Sequence, residues 1–591
     1  MDKKWVFKPQ GDKEETERLS TLLNIDENLS NLLVQRNILT YDDAKAFFRP
    51  DLKALHDPFL MKDMDKAVER IERAVQDEEG IMVYGDYDVD GTTAVALVYS
   101  FLKTFHPRIG FYVPDRYKEG YGISTQGIDH AEEQGYSLII ALDCGIKAIE
   151  KVAYAAEKKI DFIICDHHLP GDTIPDAVAV LDTKRHDCPY PFKGLSGCGV
   201  GFKLIQAIAE HRNIPFEQIE QYLDLVVISI AADIVPITGE NRILAYHGLK
   251  LINTKPRKGI QAILSYTTVK QSENLLNPVY FTRELNINDL VFLIGPRINA
   301  AGRIGDARNS VELLICDDKD YAVKLGKQID SYNKERREKD MQAFDDALEM
   351  IANSESMKLE PATVVYHPDW SQGVLGIVAS RLTEVHYKPT VVLTLNNGMY
   401  TGSARSVKGF DIHEAIDHCS DLLEHFGGHT YAAGLSLKPE NFDAFREKFI
   451  TYVQNNITED SQVPEIEIDA ELDLRHITPR FFKILRQFAP FGPDNMTPVF
   501  MTQEVIDKGF VRIVGNNHLK LDIIDPDRLG PVIPAIAFQQ GSKKDDIQKE
   551  IPFAICYQIE ENEWNNTVTL QLNIKDIHLN HKLLSNYNNV L

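Results

Sequence analysis

From about residue 80 the chain alternates short apolar runs with longer amphipathic ones. IMVYG (81–85), LIIALD (138–143), DFIICD (161–166) and AVAVLD (177–182) are apolar through their centres, the pattern of strands buried on both faces of a sheet. Three of the four end in aspartate. Between and after them lie helical patterns, including GFKLIQAIAEH (201–211) and QYLDLVVISIAADIV (221–235). Strand–helix alternation predicts a mostly parallel sheet, with ligand sites off the carboxyl ends of its strands.

The flanking texture differs. Residues 1–75 are polar and helical in spacing, as in LSTLLNIDENLSNLLVQR, with Pro50 closing YDDAKAFFRP. A long, highly charged helical pattern fills 317–356 and reads as a solvated connector between domains. Strands return at ATVVYH (362–367) and PTVVLTL (389–395) around a helix, VLGIVASRLTEVH (374–386), predicting a second, smaller α/β domain over 357–460. From 461 to 580, alternating segments such as HLKLDIID (518–525) and TVTLQLNIKDI (567–577) predict a small all-β domain, and 581–591 a tail. The expected organisation is therefore an N-terminal helical region (1–75), a catalytic α/β domain (76–316), the connecting helix, the smaller α/β domain and the β domain.

Composition narrows the class. With 591 residues, 43% hydrophobic and 26% charged, the chain is an ordinary multidomain globular protein. No apolar stretch approaches the roughly 18 residues that span a bilayer, and MDKKWVFKPQ lacks the pattern of a signal peptide, so a cytoplasmic location is expected. Seven scattered cysteines form neither a disulfide framework nor a zinc spacing. The net charge of -24 speaks against a uniformly basic nucleic-acid binder, but an acidic metal site and a local basic groove fit within an acidic whole.

The acids are not evenly spread. GDYDVDG (85–91) puts Asp86, Asp88 and Asp90 at the end of the first predicted strand, where repulsion among them calls for a cation. Asp143 ends the next strand in ALDCGI; Asp166, His167 and His168 end another in CDHHLP; Asp233 closes an apolar helix in AADIVP. Carboxylates with imidazole suit Mg²⁺, Mn²⁺ or another transition metal. Two such ions, sharing a carboxylate, can activate a water and hold the attacking and leaving oxygens of a phosphoryl transfer.

GDYDVDG, LDCG, CDHH and FGGH (426–429), with VPDRYKEGYG, GPRINAAGRIGDA, GSARS and FAPFGPDN, resemble the motifs of the DHH phosphoesterases, in order over roughly residues 1–580. Within that family the likeness is to bacterial 5′-to-3′ single-stranded-DNA exonucleases. The resemblance implies a parallel-sheet DHH domain, a DHHA1-like α/β domain and a C-terminal OB-like domain. It implies degradation of single-stranded DNA to mononucleotides in recombination and repair, with two divalent cations, Mn²⁺ or Mg²⁺. Asp86, Asp88, Asp90, Asp143, His167 and Asp233 would be the metal ligands, the register within the triple-Asp motif staying open. His168 would either support the ligands from behind or contact the phosphate, and Arg303, lying between glycine-containing turns, would contact the scissile phosphate. Arg116, Arg297, Ser403, Arg405, Gly427, Gly428 and His429 would bind nucleic acid, with Ser403 and Arg405 in a phosphate-receiving turn. Tyr117, Tyr121 and Phe410 are candidates for stacking on bases. Partners implied are single-stranded DNA, a single-stranded-DNA-binding protein and a RecQ-type helicase, without a membrane. Some Gram-positive relatives carry a further C-terminal domain, which this chain is expected to lack. The alternative is a small-substrate phosphodiesterase of the same family, acting on cyclic dinucleotides or very short RNA.

Overall fold

The structure, a computed structural model, describes residues 3–273, 278–549, 551–564 and 567–579; the expected tail at 581–591 lies outside them. The described residues form two compact units, one of Leu52–Gln462 with Gly492–Asp494, the other of those up to Asp51, Val463–Phe491 and those from Asn495 on.

In the first unit, five strands form an all-parallel sheet in the spatial order Ile109–Tyr112, Gly80–Gly85, Tyr136–Leu142, Asp161–Cys165, Ala179–Leu181. The apolar runs are unbroken because both faces are covered. Ile81 and Val83 enter one core with Leu138, Ile140 and Leu142; Met82 and Tyr84 enter another with Ile139, Ala141 and Ile164. In chain order the strands run 2-1-3-4-5. The topological switch point, where such sheets bind ligands, thus falls between Gly80–Gly85 and Tyr136–Leu142. Asp86 follows the first of these strands and Asp143 the second.

The charged pattern folds as one helix, Lys319–Ala352. It is not solvated all round. Ala322, Leu325 and Ile329 join the core of the parallel sheet, whereas Ala343, Phe344, Ala347 and Ile351 pack against Val374, Leu375 and Val378. One stripe of the helix therefore serves two cores. The following sheet has Thr363–Tyr366 parallel to Thr390–Asn396, with the helix Leu375–His386 between them. Three strands that the apolar pattern does not mark extend it antiparallel: Met399–Arg405, Ala432–Leu437 and His425–His429. The last is exposed along its whole length.

The second unit carries a seven-stranded sheet, largely antiparallel, whose strand Phe500–Asp507 pairs with both Phe553–Trp564 and His518–Ile524. Residues 1–75 are not one helical region. The helices Lys13–Leu23, Glu27–Val34 and Tyr41–Phe48 bury Leu19, Leu29, Leu32, Leu33 and Ala44 in the core of this β unit. Met64–Gln76 instead buries Ala67, Val68 and Ile71 against the parallel sheet. Polar spacing identifies helices but not which apolar surface they cover. A strand missed by the apolar pattern, Lys4–Phe7, pairs in parallel with Glu465–Ile468.

Candidate active site

The motif 85–91 is a strand-to-helix turn. Asp86 leaves the strand, Asp88 caps the helix Val89–Leu102 by accepting the Gly91 N–H at 3.0 Å, and Asp90 lies in its first turn. Gly91 acts by close approach and not by backbone freedom: a Cβ there would stand 2.4 Å from the carbonyl oxygen of Asp86. A second contact of this kind closes the other side, where a Cβ on Gly197 would meet the Asp143 side chain at 2.6 Å. Asp143 itself adopts φ 60° and Ile234, beside Asp233, φ 56°. Left-handed backbone at non-glycine residues costs about 1–3 kcal/mol each and clusters where function needs it.

Around this turn His167 Nε2 lies 3.2 Å from Asp143 Oδ1, 3.6 Å from Asp233 Oδ2 and 3.8 Å from Asp90 Oδ2. Asp90, His167 and Asp233 offer ligand atoms to one small volume, and Asp143, His167 and His168 to another. Both oxygens of Asp86, Oδ1 of Asp143 and both ring nitrogens of His167 are buried without a hydrogen-bond partner. Orphaned buried polar atoms are costly and rare; this oxygen-and-imidazole set fits divalent cations of the Mg²⁺ or Mn²⁺ type. The acids feel their own crowding. Burial and the neighbouring carboxylates hold Asp86 and Asp143 well above the ordinary aspartate range and push Asp233 up to about 8.

His168 is built differently. Asp166 Oδ1 accepts from its Nδ1 at 2.7 Å and from the backbone N–H of His167 and His168, while Oδ2 accepts from Ile146 N–H. Burial, the largest single effect, would lower the His168 pKa, but the hydrogen bond to Asp166 and the charges of Asp166, Asp233 and Asp90 together leave it raised. Its Nε2 faces the hydroxyl of Tyr121 at 3.3 Å. Asp166 thus orients His168 with its lone pairs occupied.

Cations gather beside the acids. The Arg116 guanidinium lies 5.0 Å over the ring of Tyr87, the residue between Asp86 and Asp88. Arg303 donates to the Gly373 carbonyl at 2.7 Å; burial, then the proximity of Arg116, Arg336 and Arg405, lowers its pKa to about 10. Arg405 donates to Ser403 Oγ at 2.9 Å, next to Gly376, where a Cβ would stand 2.8 Å from the guanidinium.

Several expectations change. Arg297 is buried in the helix Gly295–Ile304, with three of its donors bonding Asp330, Leu293 O and Tyr266 O rather than standing exposed. Arg303 stands in the last turn of that helix, not between turns. Ser403 and Arg405 lie on the strand Met399–Arg405, not in a turn. Phe410 is buried in the core of the smaller α/β part and has no free face for stacking. Gly427, Gly428 and His429 are on the exposed strand His425–His429. Arg336, whose buried Nε has no partner, was hidden in a run of charges typical of a solvated helix. In the sequence Asp166 reads only as a strand-end acid.

Three family models match: the DHH family N-terminal domain over residues 80–230, the DHHA1 domain over 360–455 and the RecJ OB domain over 468–576. The single-stranded-DNA-specific exonuclease RecJ of Bacillus subtilis (strain 168) is 36% identical over 570 residues, 96% of this chain and 70% of that protein. The protein of the same description from Escherichia coli (strain K12) is 33% identical over 539 residues, 87% of this chain and 90% of that one. The structure of RecJ from Thermus thermophilus in complex with Mn²⁺ shares the fold, with a TM-score of 0.81 and 24% identity over 97% of this chain and 79% of that chain. An exonuclease RecJ bound to manganese gives a TM-score of 0.58 and 28% identity over 69% of this chain and 97% of that chain.

Proposed function

The chain belongs to the RecJ family, and from that premise we propose that it is a 5′-to-3′ exonuclease that degrades single-stranded DNA to mononucleotides in recombination and repair. The observation that carries the reading is adjacency: Tyr87, between two acids of the orphaned acid–imidazole set, carries Arg116 over its ring, and Arg116, Arg336 and Arg405 surround Arg303. Asp86, Asp88, Asp90, Asp143, His167 and Asp233 hold two divalent cations, Mn²⁺ or Mg²⁺. When bound, these supply Lewis acidity and an activated water for in-line phosphoryl transfer. His168, its Nδ1 held by Asp166, presents its Nε2 to the phosphate. Arg116, Arg303, Arg336, Arg405 and Ser403 receive the terminal 5′-phosphate, since planar guanidinium groups suit bidentate phosphate binding. A strand gripped by its end next to the reacting centre is cut from that end.

The β unit supplies a single-strand platform. Arg512 is registered against Lys520, and Lys520 against Ile536; His518 packs edge-on against the exposed ring of Phe538 at 5.0 Å. Basic and aromatic side chains together suit an unpaired strand. Among the described residues no helix is long and apolar enough to cross a membrane; a cytoplasmic location, a single-stranded-DNA-binding protein and a RecQ-type helicase as partners are proposed from family alone. The test is digestion of end-labelled single-stranded and duplex DNA with Mg²⁺, Mn²⁺ or EDTA. Mononucleotides released from 5′ ends of single strands, only with metal, are expected. Activity confined to cyclic dinucleotides would favour the small-substrate alternative.

A further inference from the structure

Asp90 differs from the neighbouring acids in how much of its carboxylate the protein occupies. Oδ2 accepts the Gly197 N–H at 2.7 Å; Oδ1 accepts the Cys198 N–H at 2.7 Å and the Ser229 hydroxyl at 2.7 Å. An ionised carboxylate has about four acceptor sites. Three are filled, and the one left, on Oδ2, belongs to the oxygen 3.8 Å from His167 Nε2. By contrast, neither oxygen of Asp86 accepts a hydrogen bond.

The Ser229 hydroxyl also lies 2.5 Å from that of Ser196, whose Oγ accepts the Gly199 N–H at 3.1 Å. Each hydroxyl has one proton. Ser229 Oγ is the donor to both Asp90 Oδ1 and Ser196 Oγ, so its one proton is shared between them. A line of hydrogen bonds links the first turn of the helix Gly197–His211 through two serines to Asp90, and both serines are fully buried. Ser229 has a second hold on the same group: its carbonyl oxygen accepts the Asp233 N–H at 2.9 Å. One residue therefore grips Asp90 by its side chain and Asp233 by its backbone, and these two acids share a ligand volume with His167.

We propose that Ser229, held by Ser196, is a positioning residue for one of the two cation sites, the one formed by Asp90, His167 and Asp233. It fixes the Asp90 carboxylate so that its free acceptor site faces His167 and Asp233. This rests on the two-cation reading above. Outer partners of metal ligands typically tune affinity by about 10- to 100-fold. The effect is expected on one ion, because among the described residues the Ser229 hydroxyl bonds Asp90 and Ser196 and neither Asp86 nor Asp143.

The test is Mn²⁺ binding to the full-length protein, followed by the electron paramagnetic resonance signal of free Mn²⁺, for wild type, Ser229→Ala and Ser229→Thr. Melting in EDTA is measured alongside. Wild type is expected to bind two equivalents. Ser229→Ala should bind one equivalent as wild type does and the other about 10- to 100-fold more weakly, with its melting point in EDTA nearly unchanged. Ser229→Thr, which keeps the hydroxyl, should restore much of the lost affinity. Unchanged binding of both equivalents by Ser229→Ala would overturn the positioning role alone. Loss of both equivalents together with a lowered melting point in EDTA would make Ser229 merely structural. A wild type that binds no Mn²⁺ would overturn the two-cation reading, and this inference with it.

Discussion

Replacing Gly197 by alanine tests whether Asp143 stands at the reacting centre. The new Cβ would lie 2.6 Å from Cβ and Oδ1 of Asp143 and 2.9 Å from its Cγ. Carbon atoms rest about 3.5–4.0 Å apart, so about 1 Å of movement is needed. The backbones on both sides are held. Asp143 N–H donates to Cys165 O at 2.8 Å, and the Asp90 carboxylate grips the N–H groups of Gly197 and Cys198. The Asp143 side chain must therefore give way. Overpacking of this kind costs about 1–3 kcal/mol of stability, and a misplacement of 1 Å can cost on the order of 100-fold in rate. The assay is turnover of a 5′-phosphorylated single strand, with Mn²⁺ affinity and melting measured on the same preparation. Gly201→Ala, on the same helix, is the control, because its Cβ would meet Leu142 and Val98 at an ordinary 3.4 Å; it should be near wild type. Turnover by Gly197→Ala within a few-fold of wild type would refute the reasoning.

Arg405→Ala removes a charged donor worth about 1.5–3 kcal/mol. It should raise KM for 5′-phosphorylated strands about 10- to 100-fold while changing that for 5′-hydroxyl strands little; equal losses on both would contradict the pocket. The raised carboxyl groups Asp86, Asp143 and Asp233 take up protons more readily folded than unfolded, so their burial costs the metal-free protein stability as pH rises from about 4 towards about 8. Cation binding relieves that cost, and the rise in melting temperature on adding Mn²⁺ should grow between pH 5 and pH 8; calorimetry showing a constant rise would count against it. A fragment of residues 52–462 should keep Mn²⁺ affinity and cleave short single strands, while losing affinity and salt dependence on long ones. Deleting only the residues after 462 should instead give a sticky protein, because it uncovers Leu29, Leu32 and Leu33.

The parallel sheet was legible because doubly buried parallel strands leave unbroken apolar runs, and the acid–imidazole cluster because aspartates sit where such runs stop. Ile109–Tyr112 was not, being a half-buried edge strand around a glycine. Met399–Arg405 and His425–His429 are glycine-bearing and half-buried or exposed, so neither shows a period of two. The partner of a charged side chain is set by distant contacts. Arg297 and Arg336 carry the same group on neighbouring helices, yet one is consumed by Asp330 and the other has a free Nε. Spacing in the chain does not encode that difference, and the same holds for Ser229.

The β-rich unit is assembled from the two ends of the chain, and this matters while the protein is being made. Its three N-terminal helices leave the ribosome first, but the strands that cover Leu19, Leu29 and Leu32 are encoded after residue 462. At roughly 5–20 residues per second, the intervening stretch of about 410 residues takes about 20–80 s to synthesise. For that time the nascent chain carries an uncovered apolar surface that nothing yet translated can bury. These helices reach their place only after the residues beyond 462 have been made.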